Sequence, residues 1–226
     1  MNSLQKVGGL AALLEAGAFV FGFWIYFTVL GPARYGAADI DPALHAAFLG
    51  DNQSLLTVWN LFIYVVFGAL LVVLALALHE RLKGSPGLAS IGAAFGLIWA
   101  GLVIASGMVA NIGMDVIVDL HARDPVQAGA VWQTYSFVVN GLGGGNEIVG
   151  GIWVLLVSLA GIRYRRLPLL LNILGVIVGA AGVLTMIPPL GDLGSVFGLG
   201  LILWFACLGV VMLATARAQQ SSSPAS

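Results

Sequence analysis

The sequence predicts an all-α, polytopic transmembrane helix bundle with six spans and both termini in the cytoplasm. Of the 226 residues, 60% are hydrophobic and only 8% are charged, and the mean hydropathy is +1.02. Soluble domains carry roughly a quarter charged residues, so this chain lacks the polar side chains that would cover a globule in water. The apolar residues form long continuous runs, which favours spanning helices over an alternating barrel.

Prolines separate the apolar runs and delimit the predicted spans. None of the eight prolines lies inside a long run, as expected because proline interrupts helices. Each run is near the roughly 20 residues that cross about 30 Å of hydrocarbon. The six predicted spans are residues 7–30, 55–79, 88–111, 137–162, 167–187 and 194–216. They are predicted to form one domain, residues 1–218, and the polar tail 219–226 is predicted to be disordered.

Basic residues determine the predicted orientation. Arg34 and Arg123 fall on one side of the predicted bundle. The other basic residues fall on the opposite side: Lys6, Arg81, Lys83, Arg163, Arg165, Arg166 and Arg217. Because cytoplasmic loops are enriched in lysine and arginine, this asymmetry predicts cytoplasmic termini. The richness in alanine, glycine, valine and leucine is typical of a GC-rich bacterium, so the predicted location is the bacterial cytoplasmic (inner) membrane.

Two outer loops carry helix-start signals. In Asp41-Pro42 and again in Asp124-Pro125, an N-cap residue precedes a proline at the first helical position. The sequence therefore predicts a short helix over residues 43–49 and a lead-in helix over 126–135, ahead of the fourth span.

Two carboxylates, Glu15 and Glu147, fall within the predicted spans. A charge at mid-bilayer costs about 2.5–3.5 kcal/mol on insertion scales, so such residues are functional candidates. Small residues surround both at helical spacing, which is the pattern of closely packed helices and predicts that both side chains face protein. The candidate polar residues are Glu15 and Asn172 in an inner layer, and Asn60, Asn146 and Glu147 in an outer layer with Asn111 nearer the surface. The alternative is that each is a packing device, with the carboxyl protonated and hydrogen-bonded.

The glycine-rich stretch 140–151 surrounds Glu147. It lacks the Gly-Lys-Ser/Thr ending of a phosphate loop and follows no strand. We interpret it as the outer half of the fourth helix. Three adjacent glycines weaken a helix, at about 1 kcal/mol each in a soluble one, so a kink is predicted at Gly143–Gly145.

No cofactor or metal ion is predicted. A haem between spans needs histidines inside helices, whereas His45, His79 and His121 fall at span ends or in loops. Asp115, Asp119 and His121 are interpreted as solvated loop charge, with an outer metal site as the alternative. The net charge of −1 argues against a nucleic-acid partner.

The start Lys6-Val7-Gly8-Gly9-Leu10, the six runs and the basic turn before Leu167-Pro168 resemble a bacterial integral-membrane family known only as a domain of unknown function (the 4386 family). The resemblance covers roughly residues 5–216. It implies a six-helix bacterial membrane protein and supplies no activity or catalytic residues. Glu147 does not correspond to a motif of that family.

Three functions are compatible with the sequence. The first is a transporter or sensor of a proton, ion or small solute that uses the buried carboxylates, with Glu147 as the central residue. The second is a non-catalytic accessory or scaffold subunit, which needs a membrane partner or a homo-oligomer. The third is an intramembrane enzyme acting on a lipid or quinone, although no catalytic motif indicates one. The lipid bilayer is a partner in all three.

Overall fold

The chain folds into helices joined by short turns, with no strand among residues 2–84, 86–144 and 147–221, which the computed structural model describes. The α-helices are α1 (Asn2–Ile25), α2 (Pro42–Asp51), α3 (Gln53–Asn60), α4 (Phe67–Arg81), α5 (Pro86–His121), α6 (Pro125–Val139), α7 (Ile148–Tyr164), α8 (Leu169–Leu184) and α9 (Leu193–Ser221). Wider π-helical turns, in which the hydrogen bonds span one residue more than in an α-helix, are formed by Tyr26–Leu30, Leu61–Val66 and Asn140–Gly144.

The fold has the helices of a membrane protein. Within the described part of the chain, five helical segments are long and apolar enough to span a bilayer: Ser3–Leu30, Gln53–Arg81, Gly87–His121, Pro125–Tyr164 and Leu193–Arg217. The predicted span 167–187 corresponds to α8, an apolar helix of 16 residues. The all-helical fold class is thus confirmed, whereas the number of spans and their orientation stay predictions.

Two helices are longer than the sequence predicts. α5 continues to His121, so Asp115, Asp119 and His121 lie on a helix rather than in a loop. No proline stops it before Asp124-Pro125. α9 continues to Ser221, so the helix extends three residues into the tail 219–226 for which the sequence predicts disorder. Glutamine, at positions 219 and 220, favours helix, and residues 222–226 lie outside the described part.

The predicted helix 137–162 is interrupted. The π turn that extends α6 contains Gly143, whose φ of 171° and ψ of 8° are not helical. α7 then begins only at Ile148. The predicted kink is confirmed at Gly143, while Gly145 and Asn146 lie outside the described residues. Glu147 is therefore not in the outer half of a continuous helix, because the glycine run ends one helix and a new one starts after it.

The described residues form two compact units. Residues 2–19, 68–101 and 147–221 belong to the first unit, and residues 20–67 and 102–144 belong to the second. α1 and α5 each contribute one part to each unit.

The first unit is built on backbone contact between α7 and α8. A Cβ atom on Gly151 would lie 2.7 Å from both the Gly179 carbonyl oxygen and the Val183 nitrogen. Reciprocally, a Cβ atom on Gly179 would lie 2.8 Å from the Gly151 carbonyl oxygen. Only glycine permits this approach, which is a known device for packing helices in lipid. Beside it lies an aromatic core, in which the Trp153 ring is 5.7 Å from Trp99 and 5.6 Å from Trp204.

The second unit is stabilised by helix caps and by close packing of α2 on α6. Asp41 accepts a hydrogen bond from the Ala43 nitrogen at 2.9 Å, and Asp124 accepts one from the Gln127 nitrogen at 3.0 Å. Both N-caps and both outer-loop helices are thus as predicted. A Cβ atom on Gly129 of α6 would lie 2.8 Å from the Ala43 nitrogen, so the start of α2 lies against bare backbone.

An aromatic cluster joins the loop after α1 to α2 and α6. His45 stacks on Trp132 with ring centroids 4.1 Å apart. The indole Nε1 of Trp132 donates a hydrogen bond to the Tyr35 hydroxyl at 2.9 Å. Burial raises the pKa of Tyr35 to about 12, and the hydrogen bond from Trp132 lowers that pKa by a smaller amount.

This cluster predicts a loss of stability at high pH. The pKa of Tyr35 in the fold lies above the value of about 10 in an unfolded chain, so folding favours the neutral hydroxyl. Its contribution to stability is complete below about pH 10 and is lost as the pH rises through about 12. The test records phenolate absorbance against pH in detergent for wild type and for Tyr35→Phe. The difference between the two curves is expected to have its midpoint near pH 12. A midpoint at about 10 in the folded protein would contradict the burial.

Candidate functional site

Glu15 is the most deeply buried carboxyl group of the described residues. It lies on α1 with 0% of its surface exposed, and neither Oε1 nor Oε2 has a hydrogen-bond partner among those residues. Most buried polar atoms in proteins are paired, so an unpaired one calls for an explanation. The small side chains of Ala11, Ala12 and Ala18 are also buried.

The helix around Glu15 is fixed by close packing on both sides of it. Before Glu15, a Cβ atom on Gly9 would lie 3.1 Å from the Gly209 carbonyl oxygen of α9. After it, Phe19 packs on Phe205 with ring centroids 6.1 Å apart. Glu15 lies between these contacts, about 9 Å along the helix from Gly9 at 1.5 Å per residue. The carboxyl is therefore held in an ordered, largely apolar part of the first unit.

Asn172 on α8 is 1% exposed and has a structural use. Its Nδ2 donates to the Leu167 carbonyl oxygen at 3.1 Å, which fastens the turn before the helix. Its Oδ1 lies against Gly161 of α7 and has no partner among the described residues. Asn172 therefore fills the gap that a glycine leaves between α7 and α8.

Sequence reasoning missed two further buried polar groups in the first unit. The Ser158 hydroxyl and the Trp204 indole Nε1 have no partner among the described residues, and both lie where Gly175 has no side chain. Both residues are fully buried. Each stands alone in an apolar run, so the sequence carries no signal that would bring them together.

Glu147 occupies the N-cap position of α7 and is half-buried. Its backbone nitrogen donates to the Thr185 hydroxyl at 3.3 Å, and its carbonyl oxygen accepts from the Gly151 nitrogen at 2.8 Å. Its side chain makes no capping hydrogen bond. A negative charge at a helix N-terminus is stabilised by the helix dipole, so Glu147 has a structural reason to be acidic that Glu15 lacks.

In the second unit, the side chains of Asn60 and Asn111 meet, a contact that the sequence did not predict. The Nδ2 of Asn60 donates to Asn111 Oδ1 at 3.0 Å, and the Nδ2 of Asn111 lies 3.4 Å from the Thr57 carbonyl oxygen. One turn along α5, Asp115 accepts from Gln53 Nε2 at 2.9 Å. These pairs form a polar seam between α3 and α5, and it begins at the exposed end of both helices.

The candidate residues are thus divided. Asn60 and Asn111 are joined in the second unit, whereas Glu15, Asn172 and Glu147 belong to the first. Asn146 lies outside the described residues. Within the described ranges, no group of three or more His, Cys, Asp or Glu side chains is placed to hold a metal ion.

No family model matches the chain, and neither a curated protein nor a solved structure does.

Proposed function

We propose that the protein is a six-span bacterial inner-membrane protein that moves or senses a proton or small cation at Glu15. The observation that carries this proposal is the complete burial of a carboxyl group without a hydrogen-bond partner among the described residues. An ionised carboxylate is too costly to bury alone, so this group needs either a proton or a cation. In either case, the state of the Glu15 carboxyl depends on the concentration of the proton or cation that it binds.

The six-span topology is supported by the basic residues at the helix ends. Arg163 lies in the last turn of α7, Arg165 and Arg166 follow it, and Arg217 lies near the end of α9. If both groups are cytoplasmic, α8 crosses the membrane between them. α8 is about 24 Å long at 1.5 Å per residue, and apolar Leu167 and Ile187 flank it.

Glu15 replaces Glu147 as the central residue of the proposal. Glu147 is only half-buried and lies at a helix N-terminus, where a charge is favoured. Glu15 lies inside a helix, where the backbone offers no free donor. Glu147→Gln is therefore a suitable control for Glu15→Gln, because both replace one membrane-embedded carboxyl by its amide.

The test is a flux measurement in liposomes that contain a pH-sensitive dye. A potassium diffusion potential drives protons inward, and sodium and potassium gradients are tested separately. Wild type is expected to exceed empty liposomes, Glu15→Gln to fall to the empty level, and Glu147→Gln to retain most of the flux. Equal flux in wild type and Glu15→Gln would refute transport at this residue.

Infrared difference spectroscopy tests the sensor form of the proposal. A change of pH or of sodium concentration is expected to alter a carboxyl C=O band in wild type and in Glu147→Gln but not in Glu15→Gln. If no such band changes and no liposome flux exceeds the empty level, the proposal is wrong.

A further inference from the structure

Arg81, at the end of α4, is held in place by three parts of the first unit. Its guanidinium donates to Gln5 Oε1 on α1 at 3.3 Å, to Thr215 Oγ1 on α9 at 3.2 Å and to the Arg166 carbonyl oxygen at 3.2 Å. All three acceptors are neutral. The position of Arg81 is therefore fixed, while its charge is not balanced by the groups that hold it.

Arg166 brings a second guanidinium to the same place. Its backbone nitrogen donates to the Gly161 carbonyl oxygen at 3.2 Å, which closes the end of α7. Its side chain lies over Gly84, with Nη2 3.0 Å and Nε 3.5 Å from where a Cβ atom would be. The Nε of Arg81 lies 3.2 Å from the Arg166 carbonyl oxygen, so the two arginines are direct neighbours.

Carboxylates are scarce at this end of the first unit. The ion pairs among the described residues are Arg34–Asp39 and Lys83–Glu80, so neither Arg81 nor Arg166 has an acidic partner there. The pair at this end joins Glu80 to Lys83 and leaves the two arginines without a carboxylate partner among the described residues. Arg81, held by its hydrogen bonds, and the exposed neighbouring side chain of Arg166 together make a site for an anion.

We propose that Arg81 and Arg166 bind the phosphate group of an anionic lipid. Guanidinium groups match phosphate oxygens with paired hydrogen bonds, and Arg81 still has donors beyond the three in use because a guanidinium carries five. The site lies at the ends of apolar helices, where lipid phosphates are concentrated. A lipid phosphate would bridge both arginines and offset one of their two charges where α1, α4 and α9 converge, and would strengthen that end of the unit.

Native mass spectrometry of the full chain in detergent tests this directly. Phosphatidylglycerol is expected to bind about tenfold more tightly than phosphatidylcholine, which is the scale of one charge-assisted pair. Arg166→Gln is expected to remove this preference. The variant should still fold, since the hydrogen bonds that Arg166 makes within the fold use its backbone atoms. Arg217→Gln removes the same charge from an exposed position on α9 and is expected to retain it.

Two controls separate the competing outcomes. Thermal unfolding with and without phosphatidylglycerol should show a stabilisation in wild type and in Arg217→Gln that Arg166→Gln lacks. Equal loss of preference in both variants would mean general surface charge and would overturn the site. If inorganic phosphate alone displaces the lipid at millimolar concentration, the site binds free phosphate and the lipid assignment is wrong. None of these results depends on flux through Glu15.

Discussion

Replacing Gly151 by valine is expected to destabilise the protein more than any other single substitution at the α7–α8 contact. The new side chain would overlap the Gly179 carbonyl oxygen and the Val183 nitrogen, which lie 2.7 Å from the Cβ position. These are backbone atoms, so the strain is relieved only by moving the two helices apart. Overpacking usually costs about 1–3 kcal/mol, and we expect about 3 kcal/mol or more here.

Heating the protein in detergent and measuring the surviving folded fraction tests this. A loss of about 3 kcal/mol corresponds to a fall of roughly 6–12 °C in the unfolding temperature of a chain this size. The matched control is Gly101→Ala on α5, because a Cβ atom there would meet nothing within 4 Å. Gly101→Ala should be neutral or slightly stabilising, since alanine favours helix over glycine. Equal unfolding temperatures for Gly151→Val and wild type would show that α7 and α8 do not pack this closely.

Glu15→Met is expected to make the protein more stable and to remove its flux. Methionine has a similar length and no polar atoms, so it replaces an unpaired carboxyl without leaving a cavity. Burying an unsatisfied polar group costs about 1–3 kcal/mol in protein mutational data, and the substitution should recover a cost of that order. Functional residues commonly reduce stability in this way.

The control for this substitution is Leu14→Met, the adjacent position on α1. Leu14 is 60% exposed, so its replacement should change the free energy of unfolding by less than about 0.5 kcal/mol. If Glu15→Met lowers stability instead, the carboxyl has a structural partner and its role is packing. The two outcomes have opposite signs, which makes this a decisive measurement.

The glycines have uses inside the chain. Gly150 lies against Trp99 and Phe197, and Gly182 lies against Phe197 and the Glu147 backbone. A scaffold subunit would use close-packing glycines to bind its partner. These glycines already pack against residues of their own unit. They do not require a partner, so they give the scaffold hypothesis little support.

Local signals predicted much of the architecture. Asp41-Pro42 and Asp124-Pro125 predicted two helix starts because a cap and a following proline act within one turn. The three glycines at 143–145 predicted a break for the same reason. The sequence could not show where the helix resumes, since Asn146, Glu147 and Ile148 are all compatible with a helix interior or a cap. The prediction that Glu147 lies inside a continuous helix was therefore wrong.

Features that depend on two distant segments were beyond the sequence. Asn60 and Asn111 were both recognised as polar, but their pairing depends on the register of α3 against α5. Ser158 and Trp204 gave no signal, because each is buried in an apolar run and only Gly175 brings them together. The length of α5 was underestimated because Asp115, Asp119 and His121 suggested a loop, although the segment contains no proline that would stop the helix.

The contact between α7 and α8 also bears on how the chain folds. α8 is apolar but short, and a turn of four residues, 165–168, connects it to α7. Contacts so close in sequence form early. We therefore expect α7 and α8 to pair as a hairpin early in folding. Gly151 and Gly179 would then let the hairpin close before either helix has met the rest of the bundle.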